Sequence, residues 1–270
     1  MPTPFEVITH PVSLAVFGIY GALIVWEFAF PGRKDLPKSK AWLGRGAVAF
    51  AVYFSLASYL PIAWDTYLSQ YQLFDLSSLG TVGGAIIGLV VYDLTVYLWH
   101  RSMHRSTTLW RGIHQMHHSA ERLDTFGAFY FSPQDMVGWV FVGSVALVLV
   151  VGITPEAATI VMLTTTFTGI FQHANIKTPR WLGYFVQRPE SHSIHHGRGI
   201  HNYNFSNFAV FDMIFGTFRN PDTFMAETGF YPGASEQVVD MLLFKDIDQQ
   251  NGEIREYSKS PDLIHLQKSA

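Results

Sequence analysis

The segment Trp99–His118, with the sequence WHRSMHRSTTLWRGIHQMHH, decides how the rest of the chain is interpreted. It places two histidines four residues apart and then a group of three, and the segment SHSIHH at 191–196 repeats the spacing of that group. Residues three or four positions apart lie on one face of a helix, so each group can converge on one point. With one histidine between the two segments, nine of the chain's twelve histidines are clustered: His100, His104, His114, His117, His118, His173, His192, His195 and His196.

The number of clustered histidines predicts a polynuclear metal site. Neutral imidazole is a common ligand of zinc, copper, iron and nickel. A lone histidine is more often an ordinary surface or core residue, but the repeated HxxxH and HxxHH spacings argue against that interpretation here. Nine imidazoles exceed what a four-coordinate zinc ion can use. We therefore expect two metal ions, with these nine histidines as their ligands.

The composition is that of a membrane protein without cysteine chemistry. Hydrophobic residues make up 49% of the chain and charged residues only 14%, and the mean hydropathy is +0.17, which is too apolar for an ordinary soluble domain. The formal net charge of -3 and the lack of a basic run give no indication of nucleic-acid binding. The absence of cysteine excludes disulfides, thiolate zinc sites, cysteine-ligated iron-sulfur clusters and cysteine nucleophiles, so a transition metal must bind histidine or carboxylate.

Three apolar segments that precede the first histidines are long enough to cross a bilayer. They run from Val12 to Phe30, from Gly46 to Trp64 and from Leu79 to Trp99. The first has Glu27 as its only charge, no Lys or Arg before it and no small-residue cleavage site after it, so we interpret it as a retained anchor and not as a signal peptide; a soluble-core helix is the alternative. Pro61 should kink or end the second segment.

The third segment carries two features expected of a packed, functional helix. Gly80, Gly84 and Gly88 form a repeated small-xxx-small pattern, which permits close approach to a neighbouring helix and also offers a face for an oligomer. Asp93 lies seven residues before His100, on the same helical face. Because a carboxylate within a membrane is costly and tends to have a function, we expect Asp93 to orient a histidine or, as a second possibility, to be a ligand.

Charge bias predicts that all nine histidines lie on the cytoplasmic side. The loop Pro31–Arg45 is rich in Lys and Arg, so the positive-inside rule assigns it to the cytoplasm. Three spans from an outside N-terminus then bring His100 to the cytoplasmic face. Two further apolar runs, Met136–Thr154 and Ala157–Gln172, return the chain to the same side at His173, either as two full crossings or as a shallow re-entrant hairpin.

These observations predict an all-α, polytopic membrane protein. We expect about four to five transmembrane or membrane-embedded helices and a cytoplasmic, histidine-rich helical cap that holds a dinuclear metal site. The whole chain, 1–270, forms one domain. Its expected parts are the N-terminal spans 12–99, the first histidine region 100–135, the apolar hairpin 136–172, the second histidine region with an aromatic cap 173–219, and a polar tail 220–270.

Several residues outside the histidine groups are candidates for a supporting role. Asp93, Asp124 and Asp212 can orient imidazoles by accepting their second N–H, although each can equally be an ordinary surface or capping residue. His201 is a ligand, a partner of a ligand, or a plain surface residue. An aromatic stripe at helical spacing suits the membrane interface, a cap over the site or core packing: Phe208, Phe211, Phe215 and Phe218.

Taken together, these residues resemble a known family across roughly Tyr92–Pro221. The first, second and last histidine boxes and their hydrophobic spacing are similar to those of the fatty acid hydroxylase and sterol desaturase superfamily of integral membrane di-iron oxygenases. The segment FDMIFGTF at 211–218 is similar to that family's aromatic-Asp-x-x-Phe-Gly-Thr ending. Some branches of the family have a further histidine pair, whereas here His173 is followed by Asn175, which leaves the ligand count open.

The resemblance implies a reaction and its participants. The histidines would hold two irons, which use dioxygen to hydroxylate or desaturate a lipid, with no catalytic side chain beyond the metal ligands. The substrate would be a fatty acyl chain, a sterol-like ring system or an ether lipid. Two electrons per turnover would come from a separate carrier, such as a cytochrome b5-like protein, a ferredoxin or a reductase. The compact chain resembles bacterial members, which implies the inner membrane with the metal site facing the cytoplasm.

Three other functions are weighed against this interpretation. A zinc-dependent membrane hydrolase would need a general base beside the boxes, and the chain has no HExxH motif. A bis-histidine haem protein would need one or two facing pairs within the spans. A histidine-based metal transporter would need ionisable residues along a path through the membrane, and only Asp93 approaches such a position.

Overall fold

The computed structural model describes residues 1–248, so the predicted polar tail lies outside it from residue 249 onward, together with His265. The described part is helical, and its only β-type pairings are three isolated bridges. The α-helices are α1 Pro4–Thr9, α2 Pro11–Ala29, α3 Trp42–Leu68, α4 Gly80–Arg105, α5 Thr107–Leu109, α6 Gln115–His118, α7 Pro133–Ser144, α8 Pro155–Phe171, α9 Pro189–His195, α10 Ala209–Ile214 and α11 Val238–Leu242. Residues Trp110–His114 and Val145–Val150 are π-helical, and 3₁₀ turns cover Ser69–Tyr71, Ser77–Leu79, Thr125–Phe129, Arg180–Tyr184 and Ala234–Glu236.

Four helical segments of the described chain are long and apolar enough to cross a membrane. They are Pro11–Ala29, Trp42–Tyr71, Ser77–Arg105 and Pro133–Val150. The three N-terminal spans and the first of the two later apolar runs are therefore confirmed as helices of spanning length. The second later run forms α8, which packs against α2 and α4. The expected all-α fold with about four to five membrane helices is confirmed.

Two helices extend beyond the boundaries expected from the sequence. Pro61 does not end α3, which continues to Leu68. Proline removes one backbone donor, but the apolar sequence on both sides keeps the remaining helical hydrogen bonds favourable. The helix α4 continues past Trp99 to Arg105. The first histidine pair therefore lies on the last turns of a membrane-length helix.

The small residues of α4 pack inside the chain. A Cβ atom on Gly84 would lie 3.0 Å from the Cβ of Ala157, and one on Gly88 would lie 2.8 Å from Ile153 Cδ1. Gly80 has a φ of +64° at the start of the helix and no neighbour within 4 Å. The close helix contact expected from this pattern is therefore made with α8 and the turn before it. Gly84 and Gly88 are therefore covered within the chain, and an oligomer through this face stays a prediction.

The ends of the long helices that carry or approach histidines meet at one end of the bundle. Glu27, near the end of α2, accepts hydrogen bonds from the backbone amides of Thr125 and Asn175. Trp42, at the start of α3, donates to Asp124. The C-terminal ends of α4 and α8 and the N-terminal end of α7 reach the same region. The short helices α5, α6, α9 and α10 form a cap over this end, and the histidines lie between the cap and the bundle.

Candidate metal centre

Nine buried or half-buried histidines, contributed by separate segments, meet under the cap. The first pair lies on α4, the next three on the π-helical turn and α6, one directly after α8, and the last three on and after α9. Eight are at most 6% exposed, and His104 is half-buried. All nine are the histidines expected from the sequence.

The structure divides these nine histidines into two groups, and within each group one nitrogen per residue lies within 4.8 Å of all the others. We call them the five-histidine group and the four-histidine group. Each could hold a metal ion, with imidazole nitrogens as the only donors. The five-histidine group consists of His100, His104, His114, His118 and His195. The four-histidine group consists of His117, His173, His192 and His196.

The groups do not coincide with the sequence boxes. Pairs four residues apart remain together, such as His114 with His118. The residue between them, His117, belongs to the other group, and the last box is divided in the same way between His195 and its neighbours. The expectation that each HxxHH box converges on one point was therefore wrong. Adjacent residues of a helix point about 100° apart, so each box contributes to both groups.

In the five-histidine group, every outer nitrogen has a partner within the protein. The Nδ1 atoms of three members donate to backbone carbonyls: His100 to Phe205 at 2.8 Å, His104 to His201 at 2.8 Å and His195 to Tyr203 at 2.7 Å. The other two members use side chains, because His114 Nδ1 donates to Asp135 Oδ2 at 2.7 Å and His118 Nδ1 lies 3.1 Å from His201 Nδ1. These contacts fix the rings with Nε2 directed inward.

A single loop supplies all three carbonyls, and its backbone is unusual. His201, Tyr203 and Asn204 have φ values of 40°, 68° and 51°, in the left-handed region that side chains other than glycine seldom adopt. Asn204 holds the loop in place, since its side chain donates to the carbonyls of Ser191 and Arg219. The surrounding structure thus stabilises a strained loop whose carbonyls face the imidazoles.

In the four-histidine group, only one outer nitrogen has a hydrogen-bond partner among the described residues. His173 Nδ1 donates to the carbonyl of Gly169 at 2.7 Å. The Nδ1 atoms of His117, His192 and His196 are buried without a partner. This group therefore has the same kind of donor atoms as the first but much less support for the orientation of its rings.

The inward nitrogens fit a bound cation. His100 and His114 both donate through Nδ1, so their Nε2 atoms are lone-pair acceptors, and these two acceptors lie 3.0 Å apart. The Nε2 atoms of His104, His118 and His195 are buried without a hydrogen-bond partner. In the four-histidine group, His173 Nε2 lies 3.0 Å from the Nε2 atoms of both His117 and His192. The two buried lone pairs of His100 and His114 face each other, and a cation between them would stabilise this arrangement.

Burial also keeps these imidazoles in the form that binds metals. Desolvation lowers the pKa of His117, His192, His195 and His196 well below its ordinary value, and it lowers the pKa of His173 to about 4. Neighbouring imidazoles act in the same direction for His117 and His192. The rings are therefore neutral at physiological pH, so a metal ion would not have to displace a proton from them.

The carboxylate that contacts a histidine is not one of those expected. Asp135 lies in the first turn of α7, is fully buried and accepts the hydrogen bond from His114. The sequence analysis placed it at the end of the first histidine region, 100–135, without a role. The detectable signal was an acidic residue three positions after the helix N-cap Ser132, in the first turn of α7, and directly before an apolar run.

The three expected carboxylates accept hydrogen bonds from backbone amides, and Asp124 also contacts the side chains of Trp42 and Arg122, but none of the three contacts an imidazole in the described chain. Asp93 accepts hydrogen bonds from the amides of Asn207 and Phe208, and Asp124 accepts from Trp42 and Gly127. Asp212 accepts from the amide of Phe205 at 2.8 Å, and the carbonyl of that same residue holds His100. Backbone amides that lack a helical partner compete for these carboxylates, which explains why the expected direct contacts do not form.

His201 and the aromatic stripe also take defined positions. His201 is buried and contacts two members of the five-histidine group, His104 through its carbonyl and His118 through its ring, so it acts as a partner of these residues. In the aromatic stripe, Phe215 stacks on Tyr97 with ring centroids 4.8 Å apart. The stripe as a whole is not one helical face, because α10 ends at Ile214.

A cavity of about 100 Å³ adjoins both groups. His100 and His114 line it from the five-histidine group, and His117, His173 and His192 line it from the four-histidine group. The rest of its wall is mainly apolar or aromatic and includes Tyr53, Val96, Phe129, Phe131, Trp139, Met162 and Ile170. The geometry thus places a small apolar chamber directly beside both possible metal sites.

The sequence of the site region is similar to that of known proteins. Residues 85–217 match the model of the fatty acid hydroxylase family. An ornithine lipid hydroxylase of Rhizobium tropici is 30% identical over 219 residues, which cover 77% of this chain and 65% of that protein. Sphinganine C4-monooxygenase 1 of Arabidopsis thaliana is 29% identical over 137 residues, or 49% of this chain and 53% of that protein.

A third relative has a different named activity. A very-long-chain aldehyde decarbonylase of Oryza sativa subsp. indica is 29% identical over 140 residues, which cover 49% of this chain and 53% of that protein. The chain thus spans about half to two thirds of the length of these relatives. No solved structure matches it.

Proposed function

We propose, from the premise that the chain belongs to the fatty acid hydroxylase family, that it is a membrane-bound di-iron oxygenase that hydroxylates a lipid. The observation that carries this proposal is the convergence of nine imidazoles on two adjacent points, one with five donors and one with four. The nine histidines are the proposed ligands. Two of the relatives named above are a lipid hydroxylase and a sphinganine monooxygenase, which supports hydroxylation over desaturation.

The proposed reaction converts a C–H bond to an alcohol. It consumes one dioxygen, two electrons and two protons and yields the hydroxylated lipid and one water. Bound iron would supply the activation of dioxygen and the removal of hydrogen from an unactivated carbon. The all-imidazole donor set suits iron as well as zinc, copper and nickel, so the choice of iron rests on the family and is open to direct measurement.

The side chains of this protein hold the site and keep it dry. Asp135 and the carbonyls of the 201–205 loop fix the rings of the five-histidine group. Phe205 packs against the rings of His100, His104 and His195, with centroids 5.6, 5.3 and 5.6 Å apart. On the other side, Trp110 packs 5.0 Å from the rings of both His104 and His118. Such packing limits the access of water to a reactive centre.

The substrate is proposed to be a lipid because the chamber beside the histidines lies at the end of a membrane-length bundle and has mainly apolar walls. Pockets of this kind select ligands by apolar contact, and a few polar groups fix the orientation. The lipid would enter from the bilayer, so no water-filled path to the chamber is needed.

The proposed location is the bacterial inner membrane, with the metal site facing the cytoplasm. The bundle end that carries the histidines also carries Arg101, Arg105, Arg111 and Arg122, and the loop 31–45 beside it is rich in Lys and Arg, as the positive-inside rule requires. The two electrons would come from a cytoplasmic carrier, such as a cytochrome b5-like protein, a ferredoxin or a reductase. A basic face would favour an acidic partner.

Elemental analysis tests the proposal most directly. The protein should be purified anaerobically, without a metal-affinity column, and the iron, zinc and copper content per chain measured. We expect about two irons, together with the incorporation of label from ¹⁸O₂ into lipid when a reductase is supplied. Stoichiometric zinc that cannot be exchanged for active iron would contradict the oxygenase function and favour a hydrolase.

A further inference from the structure

The chamber beside the two histidine groups is not uniformly apolar. Gln172 and Asn207 line it close to the histidines, and Thr165 and Thr166 line it further along α8. The carboxamide oxygen of Gln172 is buried and has no hydrogen-bond partner. A buried acceptor without a partner is costly, and this one lies in a cavity wall beside His173. It is placed to accept a hydrogen bond from a ligand.

A second, larger cavity adjoins the chamber on its far side. It has a volume of about 450 Å³ and lies between α2, α3 and α8, and Tyr53, Phe129, Met162 and Thr166 line both cavities. Its remaining lining is largely apolar and includes Val12, Val16, Phe50, Phe54, Ala57 and Leu163. The shared wall contains Met162, whose unbranched side chain adapts its shape readily.

The two cavities together cover most of the length of the bundle. The chamber lies at the histidine end, where Glu27 contacts the backbone of Thr125. The second cavity reaches Val12, near the other end of α2. At 1.5 Å per residue, Val12 and Glu27 are about 22 Å apart along the helix axis. This length suits one extended alkyl chain.

We propose that the two cavities bind one long-chain lipid in a single orientation, with its alkyl tail in the outer cavity and a hydrogen-bond donor of its polar end at Gln172. The donor is an amide N–H or a hydroxyl, because an acceptor oxygen requires a donor. The inference rests on the proposed hydroxylase function and makes it more specific. It places the oxidised carbon within a few bonds of that amide or hydroxyl, near the polar end of the chain and not near its methyl end.

The opposite orientation is disfavoured by the same contacts. A methyl end in the chamber would leave the Gln172 oxygen without a partner, and the polar end would lie among Phe50, Phe54 and Val16. Three polar residues of the outer cavity are already hydrogen-bonded within the protein, since Glu6 accepts from Thr3, His10 accepts from the amide of Val12 and Ser58 donates to the carbonyl of Phe54.

Photo-crosslinking tests the orientation without any turnover. Palmitoyl ethanolamide, which carries an amide N–H, would be prepared with a diazirine either next to the amide or near the methyl end, and incubated with the metal-loaded protein in nanodiscs without an electron donor. We expect the first probe to label the segment around Phe129–Phe131 and the end of α8, and the second to label Val12–Val16 and Phe54–Ser58. The reverse pattern, or the same pattern for both probes, would overturn the proposal.

Binding measurements test the role of Gln172. The affinities of two unlabelled lipids are compared by their displacement of the crosslinking probe. Palmitoyl ethanolamide has a hydrogen-bond donor at its polar end, whereas methyl palmitate has none. The substitution Gln172→Leu should weaken binding of the amide about tenfold, the factor expected for one hydrogen bond, and leave the ester unchanged. The matched control is Gln70→Leu. Gln70 lies on the exposed surface at the other end of the bundle, and its substitution should not change the binding of either lipid. Equal effects of Gln172→Leu on both lipids would contradict the assigned contact.

The position of the product separates this inference from the function on which it rests. When the loaded enzyme oxidises palmitoyl ethanolamide, fragmentation by mass spectrometry should locate the new hydroxyl near the amide. A hydroxyl near the methyl end would overturn the orientation while leaving the hydroxylase function intact. Crosslinks in the expected pattern, but no oxidation of any lipid by the iron-loaded protein, would instead refute the function and leave the binding mode in place.

Discussion

The five-histidine and four-histidine groups have the same donor atoms and similar burial, but the protein supports them differently. All five outer nitrogens of the first group contact a carbonyl, a carboxylate or another imidazole. In the second group only His173 has such a partner in the described chain. Partners of this kind set the orientation and basicity of a ligand, and their loss typically costs about 10- to 100-fold in metal affinity. The comparison teaches that the first group is preorganised and that the second depends more on the metal itself.

Removal of a ligand should have the largest effect and should be visible in either group. His195→Ala in the five-histidine group and His117→Ala in the four-histidine group should each abolish activity and reduce bound metal, because the proposed chemistry needs both ions. Metal content and turnover, measured on the same preparations, test this. Full activity with undiminished metal in either variant would refute that ligand assignment.

A substitution of a residue that is not a ligand should lower the metal affinity of one histidine group and not that of the other. Asp135→Asn keeps the shape of the side chain but removes the charge that His114 contacts. We expect the affinity of the five-histidine group to fall by about 10- to 100-fold, with little change in the other group. Metal titration of the metal-free protein measures both.

The control for this substitution is Glu156→Gln, at the exposed start of α8. It should leave both affinities unchanged. If Asp135→Asn lowered the metal affinity of both groups equally, the substitution would act by disturbing the fold as a whole and not through His114.

The wild-type protein should release its two ions in order. Because three Nδ1 atoms of the four-histidine group lack partners, its ion should be removed first by a chelator, with affinities that differ by about tenfold or more. X-ray absorption after partial removal should then report a higher average number of imidazole ligands per ion. Release of both ions in one step would contradict the difference in preorganisation.

A substitution in the membrane-spanning part should lower the stability of the whole fold and should not favour the metal affinity of one histidine group over the other. Gly88→Leu would introduce a side chain where a Cβ already lies 2.8 Å from Ile153 and 2.9 Å from Val161. Overpacking of this kind typically costs about 1–3 kcal/mol, measured as lower thermal stability in detergent. The ratio of the two metal affinities should not change.

Gly18→Leu on α2 serves as the matched control, because nothing lies within 4 Å of a Cβ at that position. Unchanged stability of Gly88→Leu would show that the packing of α4 against α8 contributes little to the fold.

The sequence by itself determined the helices and the set of histidines. Long apolar runs can satisfy their backbone polar groups only as helices in a membrane, so the spans could be located before the structure was known. Histidines four residues apart are about 40° apart around a helix, which is why His100 with His104, His114 with His118, and His192 with His196 each remain in one group.

The tertiary structure alone decided how these pairs combine and what supports them. His117 and His118 point in different directions because they are adjacent on a helix, but the histidines that each of them meets come from segments far away in the chain, such as His173 for His117 and His100 for His118. Asp135 and the carbonyls of the 201–205 loop contact their histidines only after folding. Local spacing sets the face of a helix, whereas the identity of the neighbour across that face is a property of the packed chain.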